Sequence, residues 1–376
     1  MQNNTWIAGF RTGVINPAEQ IKLVESREFS DETVRHVIRM AGGGEAVRVR
    51  VTNRYGLVPL RIGAARIGGR KEGSAISGDH EIRFGGATEV TIAPGAELVS
   101  DAVEFPVAAG EDVLLSLYLP ESTGLATFSH QPAEITYIAG GDLTADTELV
   151  DAEQVPFRFF VTGVDVLAPE GTPVAVAFGD SWFEGVGTTL SANRRSVDVL
   201  NTRLSHGWVV NNGIAGNRLT AEEIGESGLR RFDSDALQVP GVTDVLINFG
   251  INDLILGAMG GQPSATTEEL IAGFTDLATR AHAAGLRIHA ATIGPYAGCV
   301  FPGMPLLETQ PTRHAVNEWL RTTSTFDSIF DVDRAVADPQ RPDFIRPEFD
   351  SGDGMHLNDA GAAAMAQTVD VDALFV

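Results

Sequence analysis

The sequence predicts an α/β domain built on a parallel sheet, preceded by an all-β sandwich of the jelly-roll kind. Three observations carry this. Residues 1 to about 165 run in short apolar–polar alternations between Gly, Pro, Asp and Asn turns, with no helical period. From about residue 170, short fully apolar runs alternate with longer helical patterns, which implies parallel strands covered by helices. Between the two lies "VLAPEGTP", rich in Pro and Gly. The expected domains are 1–168 and 169–376, the first serving as an accessory or cleft-shaping domain.

In the first half, "AVRVRVTNRYG" puts Val47, Val49 and Val51 on one face and Arg48 and Arg50 on the other. "LRIGAARIGG", "TEVTIAPGAE", "DVLLSLYLPES" and "FRFFVTGVDV" read as further strands. In the second half, "PVAVAFG", "WVVNNG", "DVLINFG", "RIHAATIG" and "DSIFDVD" read as strands buried on both faces. "ELIAGFTDLATRAHAAG" brings Leu270, Phe274, Leu277 and Ala281 round at helical spacing and ends at Gly285, a helix-stopping residue.

Composition narrows the function classes. With 43% hydrophobic and 20% charged residues, the 376-residue chain reads as soluble and globular. No stretch approaches the ~18 to 20 apolar residues of a membrane span. The net charge of −23 argues against nucleic-acid and anionic-membrane partners. A lone cysteine, Cys299, excludes an internal disulfide and reads as a small buried apolar residue. "MQNNTWIAGFRTG" shows no basic segment leading an apolar core, so the expectation is cytoplasmic; a secreted chain already trimmed of its leader would read the same.

In a parallel sheet, ligands bind beyond the carboxyl ends of the strands. Four polar stretches fall there. Ser181, in "GDSW", stands where free backbone N–H groups point outward; capping a helix is the ordinary use of such a serine. In "NNGIAGNRL", Gly216 lets the backbone approach a ligand, and Asn217 can hold the loop or simply make a turn. In "NFGIND", Asn252 offers side-chain N–H groups or a helix cap. In "DSGDGMHLND", Asp353 and His356 stand three apart in a Gly-rich loop that also holds the cap candidates Asn358 and Asp359. A serine hydroxyl needs a base before it attacks, and the oxyanion of an ester's tetrahedral intermediate needs fixed donors. The four stretches together hold a nucleophile, donors, a base and an orienting acid. His282 and His289 have no partner at catalytic spacing.

On "GDSW", "GIAGN", "GIND" and "DGMH", in that order, the sequence resembles the SGNH hydrolase superfamily, the GDSL-type esterases and lipases. "VTNRYGLVPLRIGAARI" and "NDAG" are similar to a bacterial subgroup in which a β-sandwich precedes the hydrolase domain, whose members resemble acetylxylan esterases. The resemblance implies a flavodoxin-like three-layer α/β/α domain with a five-stranded sheet. It implies Ser181 as nucleophile, His356 as general base and then acid, and Asp353 as its orienting carboxylate. It implies an oxyanion hole from the Ser181 and Gly216 backbone N–H groups and the Asn252 side chain. Asp180 then braces the nucleophile turn, and no metal or organic cofactor is called for. Trp182 departs from the usual smaller aliphatic residue and reads either as core packing or as an aromatic pocket wall. Asn217 and Ile251 are further pocket candidates. No GxSxG run occurs, so the strained nucleophile elbow of α/β-hydrolases is not expected.

The leading expectation is a serine esterase acting on acetyl or other short acyl esters of a carbohydrate, with a small-molecule or glycan ester as its partner. A broad short-chain ester or lipid hydrolase is the alternative within enzymes. A catalytically silent carbohydrate-binding protein is the alternative outside them.

Overall fold

The computed structural model describes residues 3–376. The chain divides into two compact units, Met1–Glu19 with Val24–Thr172, and Gln20–Leu23 with Pro173–Val376. Four residues of the N-terminal half therefore pack within the C-terminal unit, where a cut at residue 168 does not place them.

The N-terminal unit is built from antiparallel sheets of four and six strands, with two small two-stranded ribbons. In Val47–Thr52 the three valines are fully buried and the arginines lie on the opposite face. Arg50 and Arg11 there share one buried carboxylate, Asp165. Arg158 ties the sheets together: it donates to the Val37 carbonyl of the six-stranded sheet and lies over the ring of Phe10 in the four-stranded sheet. The expected run "FRFFVTGVDV" forms two strands, Arg158–Phe159 and Val161–Pro169. Phe160 separates them with a left-handed φ of 58°.

In the C-terminal unit the five parallel strands are β1 (Val174–Gly179), β2 (Trp208–Gly213), β3 (Val242–Asn248), β4 (Arg287–Ala291) and β5 (Ser328–Phe330). Their order is β2-β1-β3-β4-β5, the flavodoxin-like arrangement. The helices are α1 (Ser181–Glu184), α2 (Ser196–Asn201), α3 (Gly228–Phe232), α4 (Ile251–Ile255), α5 (Thr267–Ala283), α6 (Gln310–Thr322), α7 (Val332–Val336) and α8 (Asp359–Gln367). α2, α7 and α8 pack as one group, and α3, α5 and α6 as another, giving the three layers.

Local chemistry explains α5. Thr266 and Glu269 form a reciprocal capping box at its start, and Leu270, Phe274, Leu277 and Ala281 are buried along one face. Gly285, at φ 76°, stops it while Leu286 N–H reaches back to Ala281 O. Register then sets the site. Gly179 pairs with both Gly213 and Asn248, so the loops leaving β1, β2 and β3 emerge side by side. The strand order reverses at this point, which opens the crevice that α/β sheets use for ligands.

Candidate active site

β1 runs fully buried into Gly179, where a Cβ would stand 2.5 Å from the Asn248 carbonyl oxygen. The next residue, Asp180, is the cap of α1 and accepts the Trp182 N–H at 3.1 Å. Because Asp180 takes the capping role, Ser181 is left as the first helical residue. Its N–H has no acceptor within so short a helix. Its hydroxyl lies 3.1 Å from His356 Nε2.

The loop that carries His356 is held by Asp353. One carboxylate oxygen accepts the N–H groups of Met355 and His356 at 2.9 and 2.8 Å, and the other lies 2.6 Å from His356 Nδ1. The carboxylate fixes the proton on Nδ1 and leaves Nε2 free to accept the Ser181 hydroxyl proton. Burial alone would raise the Asp353 carboxyl, but the bond to His356, its charge and the two N–H groups outweigh it and hold Asp353 well below the usual carboxylate range. The bend needs Gly354 at φ 72°, since a Cβ there would overlap the Gly298 carbonyl. Asn358 caps α8 from the same loop, so the ordinary and the chemical uses of this stretch coexist.

Gly216 also has a left-handed φ, 77°, and its N–H meets no acceptor among the described residues. The peptides on either side are pinned. Ala215 N–H donates to Glu184 Oε2 at 2.5 Å, and Asn217 N–H to the Ile214 carbonyl at 3.0 Å. Asn252 gives one side-chain N–H to the Asn217 carbonyl at 3.0 Å. The other reaches Asp180 Oδ2 only at 3.4 Å, and so stays weakly engaged. Burial pushes the Asp180 carboxyl up to about 7, with Asp253 adding to the rise, against the Trp182 N–H and Arg231.

The structure corrects the three pocket candidates. Trp182 is only 3% exposed; its indole N–H donates to the Met355 carbonyl at 3.0 Å and its ring packs on Gly294. It fastens the Ser181 turn to the His356 loop instead of walling a pocket. Asn217 is fully buried and donates to the Ile224 and Glu226 carbonyls, so it holds the loop. Ile251 opens α4 with its side chain buried and presents little surface to a ligand.

Sequence reasoning missed three residues. Glu184 holds the peptide beside Gly216. Arg231 is buried and donates to Asn217 Oδ1, the Asn212 carbonyl and the Gly179 carbonyl, binding the ends of β1 and β2 to the Gly216 loop. Asp253 accepts from the Leu219 and Thr220 N–H groups. Asp253 stands inside "NFGIND" and Glu184 three residues past Ser181, whereas Arg231 lies outside all four stretches. His289, read as having no partner at catalytic spacing, finds its partners far away in sequence: it lies 3.0 Å from Asp244 and 2.7 Å from Ser328 Oγ, a second Ser–His–Asp relay within the sheet. No cluster of three or more His, Cys, Asp or Glu among the described residues is arranged to hold a metal ion.

Residues 177–364, half of the chain, match the model of the GDSL-like lipase/acylhydrolase family. The chain belongs to this family. It is a carboxylic ester hydrolase, and an ester is its substrate. A search of curated proteins gave no match. Among solved structures, a GDSL-like lipase from Bacteroides thetaiotaomicron is 16% identical, at a TM-score of 0.39, over 53% of this chain and 85% of its own. The aryl esterase of M. smegmatis is 16% identical at 0.40, over 52% and 95%. A carbohydrate esterase family 2 enzyme with a carbohydrate binding domain, from Corynascus thermopiles (Myceliophthora fergusii), is 11% identical at 0.40, over 97% of each chain. No helix among the described residues is long and apolar enough to cross a membrane.

Proposed function

We propose that the protein is a serine esterase that removes acetyl or other short acyl groups from a carbohydrate. The observation that carries the mechanism is the continuous relay Asp353–His356–Ser181, at 2.6 and 3.1 Å. His356 takes the hydroxyl proton as the Ser181 oxygen attacks the ester carbonyl. The oxyanion that forms is met by the N–H groups of Ser181 and Gly216 and by the weakly engaged N–H of Asn252. Collapse of the intermediate breaks the bond to the alkoxy oxygen, which leaves with the proton held on His356. Water, deprotonated by His356, then attacks the acyl-enzyme and releases the acid.

The strongly acidic surface suits a neutral substrate and repels anionic lipid surfaces. The carbohydrate part of the proposal rests on the resemblance to the two-domain esterase subgroup. Its test is hydrolysis of p-nitrophenyl acetate at about pH 8 by the wild type and Ser181→Ala, followed by acetylated glycans. The expected result is a loss of roughly 10⁴- to 10⁶-fold in kcat for the variant and release of acetate from glycans by the wild type. An equally active variant removes Ser181 from the mechanism; activity confined to acyl chains of eight carbons or more favours the lipid-hydrolase alternative.

A further inference from the structure

The four residues Gln20–Leu23 belong to the catalytic unit although the chain on either side of them does not. Glu223 pins this strap: its Oε2 accepts the N–H groups of Gln20 and Ile21 at 2.9 and 3.0 Å. Ile21 Cδ1 seats against Gly260, 2.7 Å from where a Cβ would stand. Glu223 and the following Ile224 both hold left-handed φ values, 81° and 57°. β-branched residues rarely adopt that conformation, so Ile224 is held there by its surroundings. Asn217, next to Gly216, supplies part of that hold through its bonds to the Ile224 and Glu226 carbonyls.

The strap and the strained loop meet over Gly216. A methyl group built on Gly216 would lie 2.7 Å from Ile224 Cγ2 and 3.1 Å from Leu23 Cδ1. Ile224 is buried, but Leu23 is 38% exposed, an apolar side chain open to solvent beside a proposed oxyanion donor.

We infer that Leu23 is a specificity-determining residue, the outer part of an apolar wall that limits acyl chain length. This rests on the esterase reading above. An ester carbonyl oxygen directed at the Gly216 N–H places the acyl carbon chain one bond beyond the carbonyl carbon. Leu23, exposed beside Gly216, is then an apolar side chain close to it, with the buried Ile224 packed behind. The polar alcohol of a carbohydrate gains nothing from such a wall, whereas an alkyl group is desolvated by it. The wall leaves room for a short acyl group, and each further methylene must displace Leu23.

The test is kcat/KM for p-nitrophenyl acetate, butanoate and hexanoate with the wild type, Leu23→Ala, Leu23→Phe and Glu223→Ala. Leu23→Ala should raise the hexanoate-to-acetate ratio roughly tenfold, the scale on which an apolar pocket discriminates by size. Leu23→Phe should lower it, and Glu223→Ala, which unpins the strap, should raise it. An active wild type with the same ratio in all three variants overturns the wall alone. A wild type inactive on every ester overturns the esterase reading and the wall with it.

Discussion

Two Ser–His–Asp relays occupy the same sheet. In one, Asp353 and His356 sit on a loop and Ser181 opens α1, all outside the strands. In the other, Asp244, His289 and Ser328 belong to the strands β3, β4 and β5 themselves. The distances are alike, 2.6 and 3.1 Å against 3.0 and 2.7 Å. The surroundings are not. Asp244 is also gripped by Arg287 and Thr243, and His289 is buried between its partners. Ser181 instead starts a helix beside the unbonded N–H of Gly216 and the loosely held amide of Asn252. A relay alone can move a proton. In the proposed mechanism it is the loop relay whose neighbouring N–H groups meet the oxyanion, and such donors account for a large share of an esterase's rate.

That contrast can be broken or sharpened by substitution. The largest effect belongs to His356→Ala, which should cost about 10⁴-fold or more in kcat with its folding intact by circular dichroism. Asn252→Ala should cost about 10²- to 10³-fold in kcat with little change in KM, because its N–H bonds strengthen as the oxyanion forms. Trp182→Phe keeps the ring on Gly294 but removes the bond to Met355. About a tenfold loss in kcat is expected as the nucleophile and base drift apart, read by steady-state kinetics. Ser328→Ala should leave kcat within about twofold and cost about 1 kcal/mol in urea unfolding, the worth of one hydrogen bond.

The two ends of the sheet should also respond oppositely to pH. Asp180, raised to about 7 by burial, keeps in the folded state a proton that the unfolded chain releases. Its contribution is therefore present below about pH 4 and lost as pH rises through about 7. Burial raises Asp244 too, but bonds from His289, Arg287 and Thr243 outweigh it and bring it down to about 2. Its contribution is present above about pH 4 and lost as pH falls towards 2. In urea titrations, Asp180→Asn should gain on the wild type as pH rises from about 4 to 7, and the deficit of Asp244→Asn should shrink below about pH 4. Differences independent of pH would contradict both assignments.

The catalytic unit was legible because its signals are local. The strands are largely apolar, and the stretches that hold Ser181, Gly216 and Asn252 directly follow β1, β2 and β3, so register alone brings these three together; the Asp353–His356 stretch follows none of the five. The strand Glu32–Arg39 was not legible. Its Arg35 and His36 are buried, and an Arg–His pair reads as surface until the acceptors that surround Arg35, among them Ser116 and the Ser74 and Asp146 carbonyls, are known. The same limit hid the partners of His289 and the roles of Glu184 and Arg231. Each is a buried polar group satisfied by residues distant in sequence. Trp182 was ambiguous because size and apolarity do not say which way an indole turns.

The most direct test of the contrast between the relays is covalent. The purified protein would be treated with a fluorophosphonate, digested, and mapped by mass spectrometry. The account predicts one modified serine, Ser181, with labelling lost on His356→Ala and retained on His289→Ala. A label on Ser328, or none on Ser181 in an active enzyme, would contradict it.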